Sequence, residues 1–458
     1  MSGPNALTNA IAGLDVTQAR IDTLTRNISN AQTVGYNAKV QEQSVGPSGT
    51  VQAQTIRRAI NEGLQKSMLI SNGSVSSLTT TVNLMQSLTS LFGSPDAATT
   101  VSAMVTKLQT AYQDLSANPE NASLRSSVIN AAASLSTSFN TLNTGIENAR
   151  ASALDQINSS VGTVNLTLTQ IAEVNKNIQN IGNTGGDMTD LADHLDSLLT
   201  TLSKNMNFNS FTKSDGTVSI YTTQGQQLVD GSTVTPLALA AGGTLETAPV
   251  NGPPAAVSVT NGNLGALLTA RNVTFPGYET QLDNIASVLT QQFQNIGVPL
   301  FNDGGSLAYD PANATGYSGR IAVNQAIVAN PQILRDGNSP TPLMPGDATN
   351  INAAVAIFNN NTLAFTAPGL PPTGTISQAS ANFVAGAAVT QQQISDNLTQ
   401  ETAVQTTLQN QISSQSGVNV DEQVAQLTVL QQAYSANARM IQASRDMFST
   451  LLTAVGGA

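Results

Sequence analysis

The sequence predicts a mainly α protein: paired terminal helices of coiled-coil character, a rod domain built as a bundle of long helices, and a smaller β-containing outer domain. Three observations predict it. Proline is confined, with four residues from Pro4 to Pro119, fourteen from Pro236 to Pro372 and none afterwards. Proline removes a backbone donor and breaks helix interiors, so the proline-free stretches are where long helices can form. Apolar residues alternate at spacings of three and four at both ends of the chain, and do so again over a long stretch after Pro119.

The first helix carries Leu7, Ile11, Leu14, Ile21, Leu24 and Ile28 on one face, with Ala10 and Ala31 at other seam sites. Gly13 within it costs about 1 kcal/mol relative to alanine, so a partner must stabilise this helix. It ends in NISNAQTVGY, residues 27–36. There Asn30 tolerates left-handed geometry, Gly35 turns the chain and Tyr36 anchors it. A second helix is expected from about Val75 to Phe92, with Val75, Leu78, Val82, Met85 and Leu88 as its stripe and Gly93 as its stop. Ser94 is expected to cap a third, with Pro95 and Asp96 in its first turn and Val101, Val105, Leu108 and Tyr112 buried.

The longest pattern runs from Leu124 through Val128, Leu135, Phe139, Ile146, Ala153, Ile157, Leu168 and Ile171 to Ile178. Two successive steps of four after Ala153 read as a stutter. At about 1.5 Å per residue, such a helix is a rod roughly 90 Å long, which a compact enzyme seldom needs. Glycines at 182, 185 and 186 end it, and a helix from about Met188 to Lys204 comes next. The stretch 215–231 alternates between glycine turns and predicts a hairpin. A further helix at about 263–296 is interrupted by Pro276, and Ile321, Val323, Ile327, Val328 and Ile333 suggest small β elements. The C-terminal segment has a helical stripe at Ile394, Leu398, Val404, Leu408 and Ile412, a break at SGVN (416–419), and then Val420, Val424, Leu427, Tyr434, Ala438, Ile441, Phe448 and Leu452. Neither terminal stripe is stable without a facing one, so the two are expected to pack on each other and on copies of the chain.

Composition excludes several classes of function. Charged residues are 10% of the chain, against about 25% in ordinary globular proteins, which suits a surface covered by other subunits and equally fits a compositional habit. The net charge of -11 argues against nucleic acid, and the absence of cysteine removes disulfides, thiolate metal sites and cysteine nucleophiles. The start MSGPNALTNAIAGL resembles no secretory leader, and no apolar run reaches membrane-spanning length. The one histidine, His194, lies among Asp187, Asp190, Asp193 and Asp196. Asp187, Asp190 and His194 share a helix face, which mimics a metal site. The better reading places Asp187 and Asp190 in a first helical turn, favoured by the helix dipole, with the rest on a solvated face. No catalytic, cofactor or metal site is assigned.

Taken as a pair, NISNAQTVGY and LQQAYSANARMIQASRDMFSTLL (430–452) resemble the terminal motifs of the axial flagellar proteins of bacteria. Within that group SGVNVDEQVAQLTVLQQAYSANARMI (416–441) is most similar to the flagellar hook-associated protein 1 family. NPENASLRSSVINAAASLSTSFN (118–140), DLADHLDSLLTTLSK (190–204) and GNLGALLTARN (262–272) resemble it in order and spacing. Three positions depart from the family pattern: Val34 replaces a proline, Gln423 an acidic residue and Leu195 an arginine.

The resemblance implies an extracellular structural subunit at the junction of flagellar hook and filament, exported by the type III route without a cleaved signal peptide. Its implied partners are hook protein, hook-associated protein 3, copies of itself in a ring and an export chaperone on the C-terminal helix, with no cofactor, nucleic acid or membrane. The expected domains are an inner core (1–60 and 400–458), an α-helical rod (61–205, 262–296 and 351–399) and an outer domain (206–261 and 297–350). Hook protein or another axial subunit is the nearest alternative. A secreted adhesin or enzyme on an axial scaffold is the remote one.

Overall fold

A computed structural model describes residues 3–46, 49–249, 252–305, 307–339 and 341–456, without the side chains of residues 3–6 and 455–456. In chain order the helices are α1 (Gly3–Ser29), α2 (Glu62–Phe92), α3 (Val101–Ala117), α4 (Ala122–Gly182), α5 (Thr189–Asn205), α6 (Gly262–Thr269), α7 (Phe275–Asn295), α8 (Gln325–Ala329), α9 (Ile333–Asp336), α10 (Thr349–Asn359), α11 (Ile376–Ser416) and α12 (Val420–Gly456). The strands between α1 and α2 are β1 (Lys39–Val40), β2 (Gln43–Val45), β3 (Val51–Ala53) and β4 (Arg57–Arg58). After α5 come β5 (Asn209–Thr212), β6 (Val218–Tyr221), β7 (Gln227–Asp230), β8 (Thr233–Val234), β9 (Leu237–Leu239), β10 (Leu245–Thr247) and β11 (Ala255–Ala256). The last are β12 (Phe301–Asp303), β13 (Ile321–Val323), β14 (Leu363–Ala364) and β15 (Thr373–Gly374). No helix among the described residues is long and apolar enough to cross a membrane.

The chain forms two compact units, one of Met1–Val75, Val161–Gly262 and Glu401–Ala458, the other of Ser76–Ser160 and Asn263–Gln400. Helices α2, α4 and α11 supply residues to both. In the first unit, β1 pairs with β4 and β2 with β3, a nested antiparallel hairpin laid against α1. Strands β5–β8 make a four-stranded antiparallel sheet and β9–β11 a three-stranded one. The hairpin expected over 215–231 is β6–β7 of the larger sheet.

Two asparagines of α4 fasten these strands. Asn175, fully buried, donates to the carbonyls of Val218 (2.8 Å) and Gly231 (3.0 Å) and accepts from the Val218 N–H (2.9 Å). Asn165 does the same for both backbone groups of Leu237, at 2.8 Å each. The apolar stripe of α4 is buried as its periodicity required, from Val128 to Ile178.

In the second unit, α3, α7 and α10 pack around Tyr112, Phe293 and Phe358, whose ring centroids lie 5.6–6.3 Å apart. Phe92, Tyr278 and Phe383 form another aromatic group at 4.6–6.0 Å. Such tilted and edge-on pairs add to the area that the rings bury.

Four local expectations are corrected. Helix α2 begins at Glu62, 13 residues before Val75, and runs through Gly73. A β-carbon at Gly73 would lie 3.0 Å from the Ser203 carbonyl oxygen, so glycine here permits a close approach to α5. The cap of α3 is Thr100, whose hydroxyl accepts from the Ala103 N–H, and not Ser94. Pro276 does not stop its helix: Ala270–Thr274 form a π turn between α6 and α7, with the Phe275 N–H bonded to the Ala270 carbonyl. The wider turn relieves the clash of the proline ring with the preceding carbonyl. Ile327, Val328 and Ile333 lie in short helices, while Ile321 and Val323 are in β13.

Replacing Asn175 by alanine strands the Val218 N–H and carbonyl where water does not reach. Asn175→Ala is expected to cost about 3 kcal/mol, read as a lower urea midpoint; an unchanged midpoint would contradict the role given to this side chain.

Candidate assembly site

The two ends of the chain meet. Helices α1 and α12 pack along their lengths. A β-carbon at Gly13 would lie 3.0 Å from Asn437 Nδ2, and Asn27 Nδ2 donates to Gln423 Oε1 at 2.9 Å. Fourteen residues separate the two positions on each helix, running in opposite directions, so the pair is antiparallel and in one register. Gly13, weak in an isolated helix, is where the helices approach closely.

The seam is made largely of small and polar residues. On α1 it takes Ala10, Thr17, Leu24 and Asn27, all buried; on α12, Leu430 and Ser444 are buried and Gln423, Asn437 and Ile441 half-buried. The Thr17 hydroxyl donates to the Gly13 carbonyl (2.6 Å) and that of Thr23 to the Ala19 carbonyl (3.0 Å), which satisfies both without a cross-helix partner. Of the sequence-predicted residues on α1, Leu24 is buried, Leu7, Leu14, Ile21 and Ile28 are half-buried, and Ile11 is 45% exposed. On α12, Leu427, Tyr434 and Ile441 are half-buried, whereas Val420, Val424, Ala438, Phe448 and Leu452 are exposed. The intramolecular seam is thus rotated from the most apolar line toward Gln423, Leu430, Asn437 and Ser444, which recur every seven residues. Reading only apolar residues hides that repeat.

At the end of α1 the motif resolves into a node and a turn. The Tyr36 N–H donates to the Thr33 carbonyl (3.2 Å), and Gly35 has φ +83° while no described non-glycine residue has positive φ. These values define a type II turn with Val34 at its second position and Gly35 at its third. Asn30 therefore stays out of left-handed geometry, contrary to expectation, and instead donates its amide to the Arg26 carbonyl at 3.0 Å. Asn27 is the node. Its Oδ1 accepts from the Lys39 N–H and the Tyr36 hydroxyl, both at 2.9 Å, and its Nδ2 donates to the Lys39 carbonyl (2.8 Å) as well as to Gln423. Burial chiefly, with Asp193 and Asp187 adding and Arg26 opposing, pushes the Tyr36 phenol up to about 12.

The four aspartates form a charge ladder. Asp187, Asp190, Asp193 and Asp196 recur every three residues beside and along α5. Arg26 pairs with Asp187 at 2.7 Å, Lys39 with Asp190, and Arg58 with Asp193 (3.2 Å) and Asp196 (2.5 Å). Asn37 donates to Asp193 at 2.8 Å and Gln65 to Asp196 at 3.1 Å. The Lys39 side chain is fully buried, and its ammonium lies 4.7 Å from the Tyr36 ring centroid. Burial lowers its affinity for a proton, and Asp193 and Asp187 oppose that shift. Burial also disfavours charge on Asp187, yet the Thr189 N–H and hydroxyl and Arg26 outweigh it and hold this carboxyl below its usual range. At Asp196 burial dominates Arg58, and the carboxyl is raised.

This overturns the solvated-face reading of Asp193 and Asp196, whose side chains are only 11% and 26% exposed. Asp187 precedes α5 rather than lying in its first turn. His194 is exposed, Asp187 and Asp190 are engaged by Arg26 and Lys39, and no group of three metal-ligating side chains occurs among the described residues. The ladder was visible as a spacing, but its cations come from positions 135–161 residues away that no local pattern links.

Comparison with known proteins agrees with this architecture. The description "Flagellar hook-associated protein FlgK helical domain" matches residues 85–299, and "Flagellar basal body rod FlgEFG protein C-terminal" matches residues 409–454. Flagellar hook-associated protein 1 of Bacillus subtilis is 23% identical over 98% of both chains. That of Salmonella typhimurium is 24% identical over 51% of this chain, and the matched region spans 44% of the relative's length. The solved flagellar hook junction protein FlgK from Burkholderia pseudomallei has the same fold, with a TM-score of 0.62 at 16% identity over 75% of this chain and 98% of that one. The C-terminal helix of the terminal pair carries the segment that matches the flagellar rod-protein description. The chain is similar along its length to the flagellar hook-associated protein 1 family.

Asn27→Ala unbinds both backbone groups of Lys39. It is expected to cost about 2 kcal/mol locally, a loss of roughly 30-fold in amide-exchange protection at Lys39; unchanged protection would remove Asn27 as the node. Gly35→Val forces a β-branched residue into positive φ, whereas Val34 is fully exposed and its turn position favours proline. Gly35→Val should therefore lower the melting temperature and Val34→Pro should hold or raise it. Equal effects would contradict the type II assignment.

Proposed function

We propose that this chain is a non-enzymatic structural subunit of the bacterial flagellum, forming the junction between hook and filament. It assembles through its terminal helices after type III export. The observation that carries this reading is the apolar surface that the α1–α12 pair leaves uncovered. Val420, Val424, Phe448, Leu451 and Leu452 are exposed on α12, from 38% at Val420 to 71% at Leu452. Burying each such side chain against a neighbour contributes about 1.5–3 kcal/mol, so copies of the chain in a ring are natural occupants.

In this reading residues 1–60 and 400–458 are the inner core. Residues 61–205, 262–296 and 351–399 are the rod, and 206–261 with 297–350 face outward. The neighbours are hook protein on one side and hook-associated protein 3 on the other, with an export chaperone on α12 before assembly. The single family name shared by relatives from Bacillus and Salmonella supports the junction over the hook itself.

Deletion of the gene followed by electron microscopy tests the proposal. The expected result is hooks of normal length without filaments, and filament subunits in the medium. Absent hooks would move the chain elsewhere in the axis, and a long polymer of the purified protein would make it a hook or filament subunit. Phe448→Ser with Leu452→Ser should reproduce the deletion while changing monomer stability by no more than about 0.5 kcal/mol.

A further inference from the structure

We infer that Arg26, Lys39 and Arg58 with the aspartate ladder of α5 form an electrostatic clamp that fixes the direction of the α1–α12 pair against the rest of the first unit, independently of the packing within the pair. The chain crosses between the pair and the rest of that unit in two places, residues 30–61 after α1 and residues 417–419 before α12. The second is three residues long and carries glycine at its start. The first is the β1–β4 hairpin, and every rung of the ladder holds it or the end of α1. Arg26 is on the last turn of α1, Lys39 opens β1 and Arg58 closes β4. Asn37 adds a bond to Asp193 from the same crossing. The two crossings are joined by the Ala38 N–H, which donates to the Ser416 carbonyl at 2.8 Å.

Two features separate this clamp from ordinary surface pairing. The first is concentration: the chain has 17 Lys and Arg and 28 Asp and Glu in 458 residues, yet seven charged side chains gather here, Lys39 with no exposed side-chain surface. Isolated exposed pairs contribute little, but in a network around a buried cation the attraction is less screened by water, and removing one partner leaves a charge without compensation. The second is contrast: the buried seam residues of the pair, Ala10, Thr17, Leu24, Leu430 and Ser444, carry no charge. Direction and pairing therefore rest on different interactions and respond differently to salt. Asp190 is 69% and Arg26 40% exposed, so their rungs are screened first, at ionic strengths where the Debye length falls to about 3 Å.

The clamp is a conformational device: neutralising it leaves the helix pair formed but free to swing about residues 30–61 and 417–419. It does not depend on the identity of the neighbours in the flagellar axis.

The test uses double electron–electron resonance on the full chain, which has no native cysteine to confuse labelling. Nitroxides on cysteines at the exposed positions Gln18 and Ser197 report the pair against α5, and those at Gln18 and Ala436 report the pair itself. Both distributions should be narrow at low salt. In the triple variant Asp190→Asn, Asp193→Asn and Asp196→Asn, the 18–197 distribution should at least double in width while 18–436 stays unchanged. Salt at 1 M should broaden 18–197 in the wild-type chain in the same sense. The inference is overturned if 18–197 remains narrow in the triple variant. It is equally overturned if 18–436 broadens with it, because direction and pairing would then be one interaction, or if 18–197 is already broad in the wild type at low salt.

Discussion

The antiparallel contact between α1 and α12 is the constraint on which the first unit depends. Neither helix has an apolar face wide enough to be stable by itself, and α1 carries a glycine in its interior. The contact works because that glycine faces Asn437 and lets the backbones approach, while the Thr17 hydroxyl in the seam bonds to its own helix. A seam of small residues buries less area than one of leucines, so this pair is modestly stabilised and its larger side chains remain outside. The economy of the inner contact leaves an apolar surface for assembly.

Between α1 and α2 the chain is held by hydrogen bonds and charge rather than by apolar burial. Asn27 joins the nearby turn at Tyr36 and strand at Lys39 to the start of α12 at Gln423, distant in sequence. An amide suits that position because it offers an acceptor and donors at once, matching the N–H and carbonyl of one residue. The same device recurs at Asn165 and Asn175, where α4 holds strands by both backbone groups of a residue. In a chain with few ions, asparagine takes over much of the fastening between elements. The densest group of ion pairs among the described residues lies along α5.

Family departures gain a physical meaning. Val34 occupies the turn position that favours proline, so the turn keeps its geometry through Gly35 alone. Gln423 retains an acceptor for Asn27 without a charge in the seam. Leu195 is buried at 3% exposure on the face of α5 that also buries Leu198, Leu199 and Leu202. A buried cation there would need a partner of its own.

The sequence by itself determined the helical class, the two terminal helices, the break at SGVN and the long α4, because a buried helix face writes its period into the chain. The stripe from Val128 to Ile178 was legible for that reason, and so was Gly35 as the turn residue. Tertiary structure alone decided which line of α12 faces α1, since the seam uses Asn437 and Ser444, residues that a hydrophobic pattern passes over. It also decided that Asp193 and Asp196 are not solvated, that Gly73 belongs inside a helix and that Pro276 sits beyond a π turn. Each depends on a group brought from far along the chain, or on backbone that adjusts to its neighbours. Local periodicity carries no record of either, because it registers which face is buried and not what that face meets.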